Sequence, residues 1–137
     1  MNSDRNPAGW FEIYASDMTR ARSFYESVFA VELEPLPMPQ TEGGEGLEML
    51  MFPGDPSRPG CAGALCRMDG CEPGGNSTII YFSCLDCAIE EGRVTAAGGT
   101  VVKPKFSIAP YGDIALVTDP DGNMIGLHNP PADSDAC

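Results

Sequence analysis

The stretch that decides the fold is Trp10-Phe-Glu-Ile-Tyr-Ala-Ser-Asp-Met-Thr-Arg-Ala-Arg-Ser-Phe-Tyr25. Its first part, 11–15, is rich in aromatic and β-branched residues, which predicts a strand. Asp17 follows a break in that pattern and can cap a helix over 18–29. The apolar stripe of this helix consists of Met18, Ala21, Phe24, Tyr25, Val28 and Phe29. A strand and a helix that packs on it therefore begin the fold.

Further strands follow this helix. They are predicted at 31–36, 47–52 and 62–68, from apolar runs bounded by Pro and Gly. The stretch 69–76 is rich in Gly and predicts a linker. The first unit is thus a βαβββ module.

The same order of elements then repeats. The predicted elements are a strand over 78–84, a helix over 87–97 capped by Asp86, and strands over 100–104, 114–118 and 124–128. The stretch 106–111 is predicted as a loop or a short strand. Asp119-Pro-Asp-Gly-Asn123 joins the last two strands, because Asp-Pro and Asp-Gly are strong turn signals.

This repetition predicts an α+β fold in a single domain. Two βαβββ modules, 9–69 and 77–129, are joined by a linker over 70–76. They are expected to form a curved mixed sheet with a cleft, because each module has a sheet face that must be covered. The polar residues 130–137 are expected to be a flexible tail.

Length and charge argue against several classes of protein. The 137 residues carry a net charge of −12, which opposes binding to nucleic acid or to an anionic membrane surface. No apolar run approaches the roughly 20 residues of a membrane-spanning helix, and the polar start lacks the features of a signal peptide. We therefore expect a cytoplasmic protein whose six cysteines are reduced.

Three segments carry a resemblance to a known family. They are Trp10–Tyr25, the helix end Ala96-Ala-Gly-Gly-Thr-Val101 and the hairpin Asp119-Pro-Asp-Gly-Asn-Met-Ile-Gly-Leu-His128. Together they span 9–129 and resemble the vicinal-oxygen-chelate superfamily of glyoxalases, bleomycin-resistance proteins and dioxygenases. The chain is most similar to small relatives of lactoylglutathione lyase. The resemblance implies a glyoxalase-like fold, a small-molecule ligand in the cleft and a homodimer.

Metal-using members of this family place four ligands, drawn from His, Glu and Gln, on four strands. Carried onto this sequence, three positions fall on Trp10, Ile80 and Gly126. Trp10 lies seven residues before Asp17, and Ile80 lies six residues before Asp86. The fourth position falls within 61–68, which contains no His, Asp, Glu or Gln. Because a divalent metal needs several such donors, we expect neither a metal nor another cofactor.

Strand alternation assigns the side chains of the cleft. If the former ligand positions face the cleft, so do residues two positions away on the same strands. The expected lining is an apolar wall of Trp10, Ile80, Phe82 and Met124, with Glu12, Tyr14 and His128 as polar groups. Tyr111 lies in a segment that is either a lip over the cleft or a plain turn. A mostly apolar lining with few polar anchors is typical of small-molecule sites.

Glu12 and His128 are the candidate catalytic residues. Each lies two residues beyond a former ligand position in the same chain direction, so we predict that they are neighbours across the cleft. A carboxylate beside an imidazole can orient a general base. The same pair could instead anchor a ligand or form a structural hydrogen bond, and the sequence leaves these roles open.

A Cys-x-x-Cys motif, Cys84-Leu-Asp-Cys87, lies at the predicted start of the second helix. This placement is typical of redox proteins. No second cysteine pair follows at the spacing of a zinc site, which favours buried, unreactive thiols.

Three functions remain open. The preferred one is a binding protein of the bleomycin-resistance type that sequesters a small molecule. The second is a metal-independent enzyme, of lyase, isomerase or dioxygenase type, that uses Glu12 and His128 for proton transfer. The third is a glyoxalase-like metalloenzyme in which these two residues act as displaced ligands. The fold alone cannot choose between them.

Overall fold

The computed structural model describes residues 8, 10–36, 48–55, 57–70, 72–75 and 78–132. Parts of the predicted linker, the first residue of the predicted strand 47–52, and the end of the predicted tail lie outside these ranges. The described residues form an α+β fold of two βαβββ modules, as the sequence predicts.

Module one consists of β1 (Trp10–Tyr14), α1 (Met18–Phe29), β2 (Glu34–Pro35), β3 (Glu48–Met51) and β4 (Ala62–Arg67). Its four-stranded sheet has the order β1-β4-β3-β2, in which β1 and β4 are parallel and the other pairs are antiparallel. The prediction of a strand over 31–36 is too long, since only two residues, β2, pair with β3.

Module two consists of β5 (Ile80–Ser83), α2 (Cys87–Val94), β6 (Thr100–Ser107), β7 (Asp113–Thr118) and β8 (Met124–Asn129). Its sheet has the matching order β5-β8-β7-β6, again with one parallel pair. Strand β6 runs three residues beyond the predicted 100–104. Pro104 does not end it, because β6 is an edge strand and its pairing with β7 contains two irregularities.

The helices begin where their cap residues predict. The Asp17 side chain accepts a hydrogen bond from the backbone N–H of Arg20 at 3.1 Å, and that of Asp86 accepts one from Ala88 at 3.0 Å. Helix α2 ends at Val94, before the predicted end at residue 97, because 95–98 form a turn. Gly98 in this turn has φ +100°, a conformation that glycine adopts without strain.

One core joins the two modules. Helices α1 and α2 pack against each other, and each also packs on strands of its own module. The largest fully buried side chains include Tyr25, Phe24, Leu33, Leu65, Ile125 and Leu127. We call the side of each sheet that is turned away from the helices its outer face. Because the core lies on the helix side, the outer faces are left for other contacts.

The hairpin between β7 and β8 fastens module two to module one. The Tyr25 hydroxyl of α1 donates to Asp119 Oδ2 at 2.9 Å, and Arg20 forms an ion pair with Asp121 at 2.8 Å. Burial and the neighbouring Asp119 carboxylate raise the pKa of Tyr25 well above its ordinary value. This hydroxyl therefore stays protonated and donates to the hairpin.

Within the described part of the chain, no helix has the length and apolar character needed to cross a membrane.

Candidate functional site

Three side chains of β1 share the outer face of module one. Glu12 Oε2 accepts a hydrogen bond from Trp10 Nε1 at 3.1 Å, and its Oε1 accepts one from the Tyr14 hydroxyl at 2.8 Å. The intervening Phe11 and Ile13 belong to the core side. Alternation along the strand predicts this common face, and the structure adds the hydrogen bonds. The carboxylate is thus held between two aromatic side chains.

A cavity of about 600 Å³ opens beside this carboxylate, where the two modules meet. It is lined by Glu12, Ile13, Tyr14, Gly70, Glu72, Pro73, Gly74, Thr78, Ile80, Asn123, Met124 and Ile125. Its volume is in the range of small-molecule sites, and several aliphatic side chains with a few polar groups are the usual lining of such sites.

The structure brings together part of the predicted site. Glu12, Tyr14, Ile80 and Met124 line the cavity, and Trp10 adjoins it through its hydrogen bond to Glu12. The other predicted residues, Phe82, Tyr111 and His128, do not line it.

Asn123 lines this cavity and forms hydrogen bonds with three segments around it. Its Nδ2 donates to Tyr14 O and to Asp119 Oδ2, both at 2.9 Å. Its Oδ1 accepts from the backbone N–H of Gly74, also at 2.9 Å. One buried amide therefore joins β1, the segment between the modules and the last hairpin.

The face predicted for β5 is wrong by one residue. Phe82 stacks on Phe29 of α1 with ring centroids 4.5 Å apart, and Ile80 packs against the same core. A Cβ on Gly126 of β8 would collide with the ring of Tyr81, so Tyr81 is on the outer face. Since a shift of one residue exchanges the two faces of a strand, the outer residues are Ile79, Tyr81 and Ser83.

The wrong face was predicted for β5 because the alternation was counted from the wrong residue. Trp10 lies seven residues before the cap Asp17, and the residue seven before Asp86 is Ile79. The sequence prediction used Ile80, six residues before that cap. The structurally equivalent residue of Trp10 in module two is therefore Ile79.

His128 lies on the outer face of β8, but Glu12 is not its partner. Its Nε2 is 2.8 Å from the backbone oxygen of Tyr111, while Glu12 is bound by Trp10 and Tyr14. The predicted pair is therefore not hydrogen-bonded in this structure. Because a carbonyl oxygen only accepts, Nε2 must be the donor. In the neutral imidazole, Nδ1 then keeps its lone pair for another donor or a proton.

The residues at the family's metal positions do not fit a metal. On β1, just before β5 and on β8 these positions hold Trp10, Ile79 and Gly126, none of which has a side chain that ligates a divalent cation. The outer residues of β4 opposite Glu12 and Tyr14 are Ala64 and Cys66. Across the described ranges, no group of three or more His, Cys, Asp or Glu side chains is arranged to hold a metal ion.

The cysteines near these strands are poorly suited to thiol chemistry. Burial raises the pKa of Cys84 to about 12, and nearby Glu90 adds to this effect. Burial raises the pKa of Cys87 too, although Lys105 opposes it. Reactive Cys-x-x-Cys motifs require lowered values. Cys84 and Cys87 are both free and buried, an arrangement that favours unreactive thiols over a thioredoxin-like centre.

Several residues of the cavity were missed by the sequence analysis. Glu72, Gly74 and Thr78 belong to or adjoin the segment that was interpreted only as a linker, and Asn123 was interpreted only as part of a turn. The Asn in Asp-Pro-Asp-Gly-Asn is the signal that was available, since an amide can satisfy three backbone or side-chain partners at once. The linker carries no periodic pattern from which its contacts could be derived.

The chain is similar to curated and structurally characterised proteins, although no protein-family model matches it. It is 30% identical over 121 residues to "Putative glyoxylase CFP32" of Mycobacterium bovis, a match that covers 86% of this chain and 43% of that protein. The protein of the same name from Mycobacterium tuberculosis gives the same values. The chain therefore spans less than half the length of these curated relatives.

Two solved structures show the fold. A mutant of glyoxalase I from Zea mays superposes with a TM-score of 0.69 and 18% identity, over 90% of this chain and 46% of that one. TnmS3, an antibiotic binding protein from Streptomyces sp. CB03234, gives a TM-score of 0.62 and 26% identity. That match covers 94% of this chain and 99% of TnmS3.

Proposed function

We propose that this chain, which belongs to the glyoxalase/bleomycin resistance protein/dioxygenase superfamily, binds a small organic molecule between its modules and releases it unchanged. The observation that carries this proposal is the cavity of about 600 Å³ beside the fixed carboxylate of Glu12. Its aliphatic lining supplies apolar area for a ligand, and Glu12 supplies one oriented polar group.

The comparison with TnmS3 supports binding rather than turnover. That protein is described as an antibiotic binding protein, and the match covers nearly the whole of both chains. The residues at the family's metal positions lack side chains that ligate a divalent metal, so these positions do not fit the metal that other members of the family use.

A ligand screen tests the proposal. We expect compounds from a library of small organic molecules to raise the Tm of the protein, because a ligand that binds only the folded state stabilises it. Thr78→Trp should abolish the shift by filling the cavity from an exposed position. Thr100→Trp, on an exposed residue of β6 that does not line the cavity, is the control and should retain it. Absence of any stabilising compound, or equal shifts in both variants, would contradict binding in this cavity.

A second candidate function is a metal-independent enzyme of glyoxalase-related type. The specific observation in its favour is the contact of His128 Nε2 with the backbone oxygen of Tyr111 at 2.8 Å, which leaves Nδ1 as an acceptor when the imidazole is neutral. A general base with this arrangement predicts an activity that depends on the imidazole of His128. An activity that persists unchanged in His128→Ala would exclude it.

We propose that two copies associate through the outer faces. Trp10 and Tyr81 are 42% and 47% exposed there, and an apolar sheet face is normally covered by another layer. Analytical ultracentrifugation should find a dimer, and Tyr81→Lys should weaken it. Leu85→Lys, which changes a residue 94% exposed at the start of α2, should not. A monomer at all concentrations would contradict the proposal.

We also propose a cytoplasmic location. The four described cysteines, Cys61, Cys66, Cys84 and Cys87, are free thiols, and a reducing compartment preserves such thiols. Recovery of the protein from a secreted fraction would contradict this.

A further inference from the structure

We infer that the ligand of this cavity is an organic cation, an apolar or aromatic body that carries a protonated or quaternary amine. The inference rests on the proposed binding function and adds the charge of the ligand. Its basis is the set of charges around the cavity and the way in which Glu12 is held.

The charged residues known to line the cavity are both acidic. Of the described residues that line it, only Glu12 and Glu72 carry a formal charge. The ion pairs formed within the described ranges use neither of them. Two carboxylates without an ion-pair partner among the described residues repel an anionic ligand and attract a cation.

Glu12 differs from the ordinary surface carboxylates of this acidic chain. Each of its oxygens accepts one hydrogen bond, from Trp10 or from Tyr14. A carboxylate has about four acceptor positions, so both oxygens can still accept from an ammonium group. The two donors fix the carboxylate before a ligand arrives, which reduces the entropy cost of binding.

The same two donors supply aromatic rings on either side of the carboxylate. A cation close to the face of a Trp or Tyr ring is attracted by the electron density of that ring. A carboxylate between two such rings, next to an apolar cavity, provides for both parts of an organic cation. A neutral ligand would leave the charge of Glu12 unused.

Tricyclic aromatic ligands of similar size and different charge test this inference. The probes are 9-aminoacridine, 9-anthracenemethanol and 9-anthracenecarboxylate, which are tricyclic and carry a positive, a neutral and a negative group. Titration followed by fluorescence should give the lowest Kd for the cation and the highest for the carboxylate. Added salt should weaken the binding of the cation and not that of the other two probes, because salt screens the attraction between opposite charges.

Two variants assign the preference to Glu12. Glu12→Gln should weaken binding of the cation about tenfold, since bonds between charged groups are roughly twice as strong as neutral ones, and should leave the alcohol unchanged. Glu32→Gln removes the same charge at an exposed position that does not line the cavity, and should change neither.

The outcomes separate the two proposals. If the three probes bind equally well and Thr78→Trp blocks them all, the cavity binds ligands but the inference about charge is wrong. If Glu12→Gln and Glu32→Gln weaken binding of the cation equally, the net charge of the protein rather than this site attracts it, and the inference is also wrong. If none of the probes and no compound of the library binds, both proposals fail.

Discussion

The outer faces of the two modules differ although the modules share one fold. On module one, the first strand presents Trp10, Glu12 and Tyr14, joined by hydrogen bonds. On module two, β5 presents Tyr81 and Ser83, Ile79 lies just before it on the same face, and the imidazole of His128 on β8 is bound to a backbone oxygen. The cap aspartates, strand orders and parallel pairs are common to both.

This difference shows which features the fold requires and which the site requires. A βαβββ module needs its cap and its core alternation, and both copies retain them. The outer face is free of that demand, so its residues can diverge. Among the described residues of the two first strands, only Glu12 of module one is a carboxylate held by hydrogen bonds from its neighbours, which is why we propose ligand recognition at module one and its junction with module two.

The largest expected effect tests the assignment of faces on β5. Phe82→Ala should lower the free energy of unfolding by about 3–5 kcal/mol, because it leaves a cavity among packed aromatic rings. Tyr81→Ala, at a half-exposed position, should cost under about 1 kcal/mol. Urea denaturation followed by circular dichroism measures both. Equal losses would mean that the two faces of β5 are not distinguished as described.

The second-largest effect is expected from removal of the Asn123 side chain, which links segments of the two modules. Asn123→Ala removes one hydrogen bond to module one, one to the segment between the modules and one within the hairpin, and we expect a loss of about 2–3 kcal/mol in the free energy of unfolding. Asp55→Ala is the control and should change the urea midpoint little, because the side-chain partners of Asp55 among the described residues are its exposed neighbours Ser57 and Arg58. A wild-type midpoint for Asn123→Ala would refute the role of this amide.

A pH-dependent effect compares one buried thiol from each module. Burial raises the pKa of Cys66 and of Cys84 to about 12, with help from Glu12 and Glu90 respectively. The folded state therefore keeps protons that the unfolded chain releases near pH 8.5. Stability should fall as pH rises from there towards 12, by up to about 1.4 kcal/mol per pH unit for each thiol.

Urea midpoints from pH 7 to pH 10.5 measure this dependence. Cys66→Ala and Cys84→Ala should each flatten the curve, and the double variant should flatten it further. A curve for the double variant as steep as that of the wild type would assign the effect to other groups.

The smallest effect is expected from removal of either helix cap, and the two caps should differ in their response to salt. Asp17→Ala should lower the free energy of unfolding by about 1 kcal/mol, as loss of an N-cap usually does. Asp86→Ala should also destabilise the protein, and part of its effect should vanish in high salt, because Asp86 forms an exposed ion pair with Lys105 at 2.9 Å. Thermal unfolding at low and high salt measures the difference, and identical salt responses would contradict it.

The fold could be predicted from local signals. Asp17 and the apolar stripe after it predict α1 with its observed bounds, and the repeat after Asp86 predicts the second module. The bounds of β2 and β6 were less accurate, because pairing with a neighbouring strand, rather than local composition, decides where an edge strand ends.

The site could be predicted only in part. Alternation placed Trp10, Glu12 and Tyr14 on one face, since that argument needs only their own strand. It failed for Phe82, because the residue from which the alternation was counted was off by one. The contribution of Glu72 and Asn123 to the cavity depends on how distant segments meet, and neither periodicity nor spacing contains that information.

Strands β2 and β6, at the far ends of the two sheets, have a consequence for the behaviour of the protein at high concentration. Strand β2 has two residues, one of them Pro35, and β6 contains Pro104 and an irregular ladder. Prolines, short length and bulges make an edge a poor template for a strand from another molecule. Growth of amyloid-like ribbons from these edges is therefore disfavoured in the native state, even in crowded solutions.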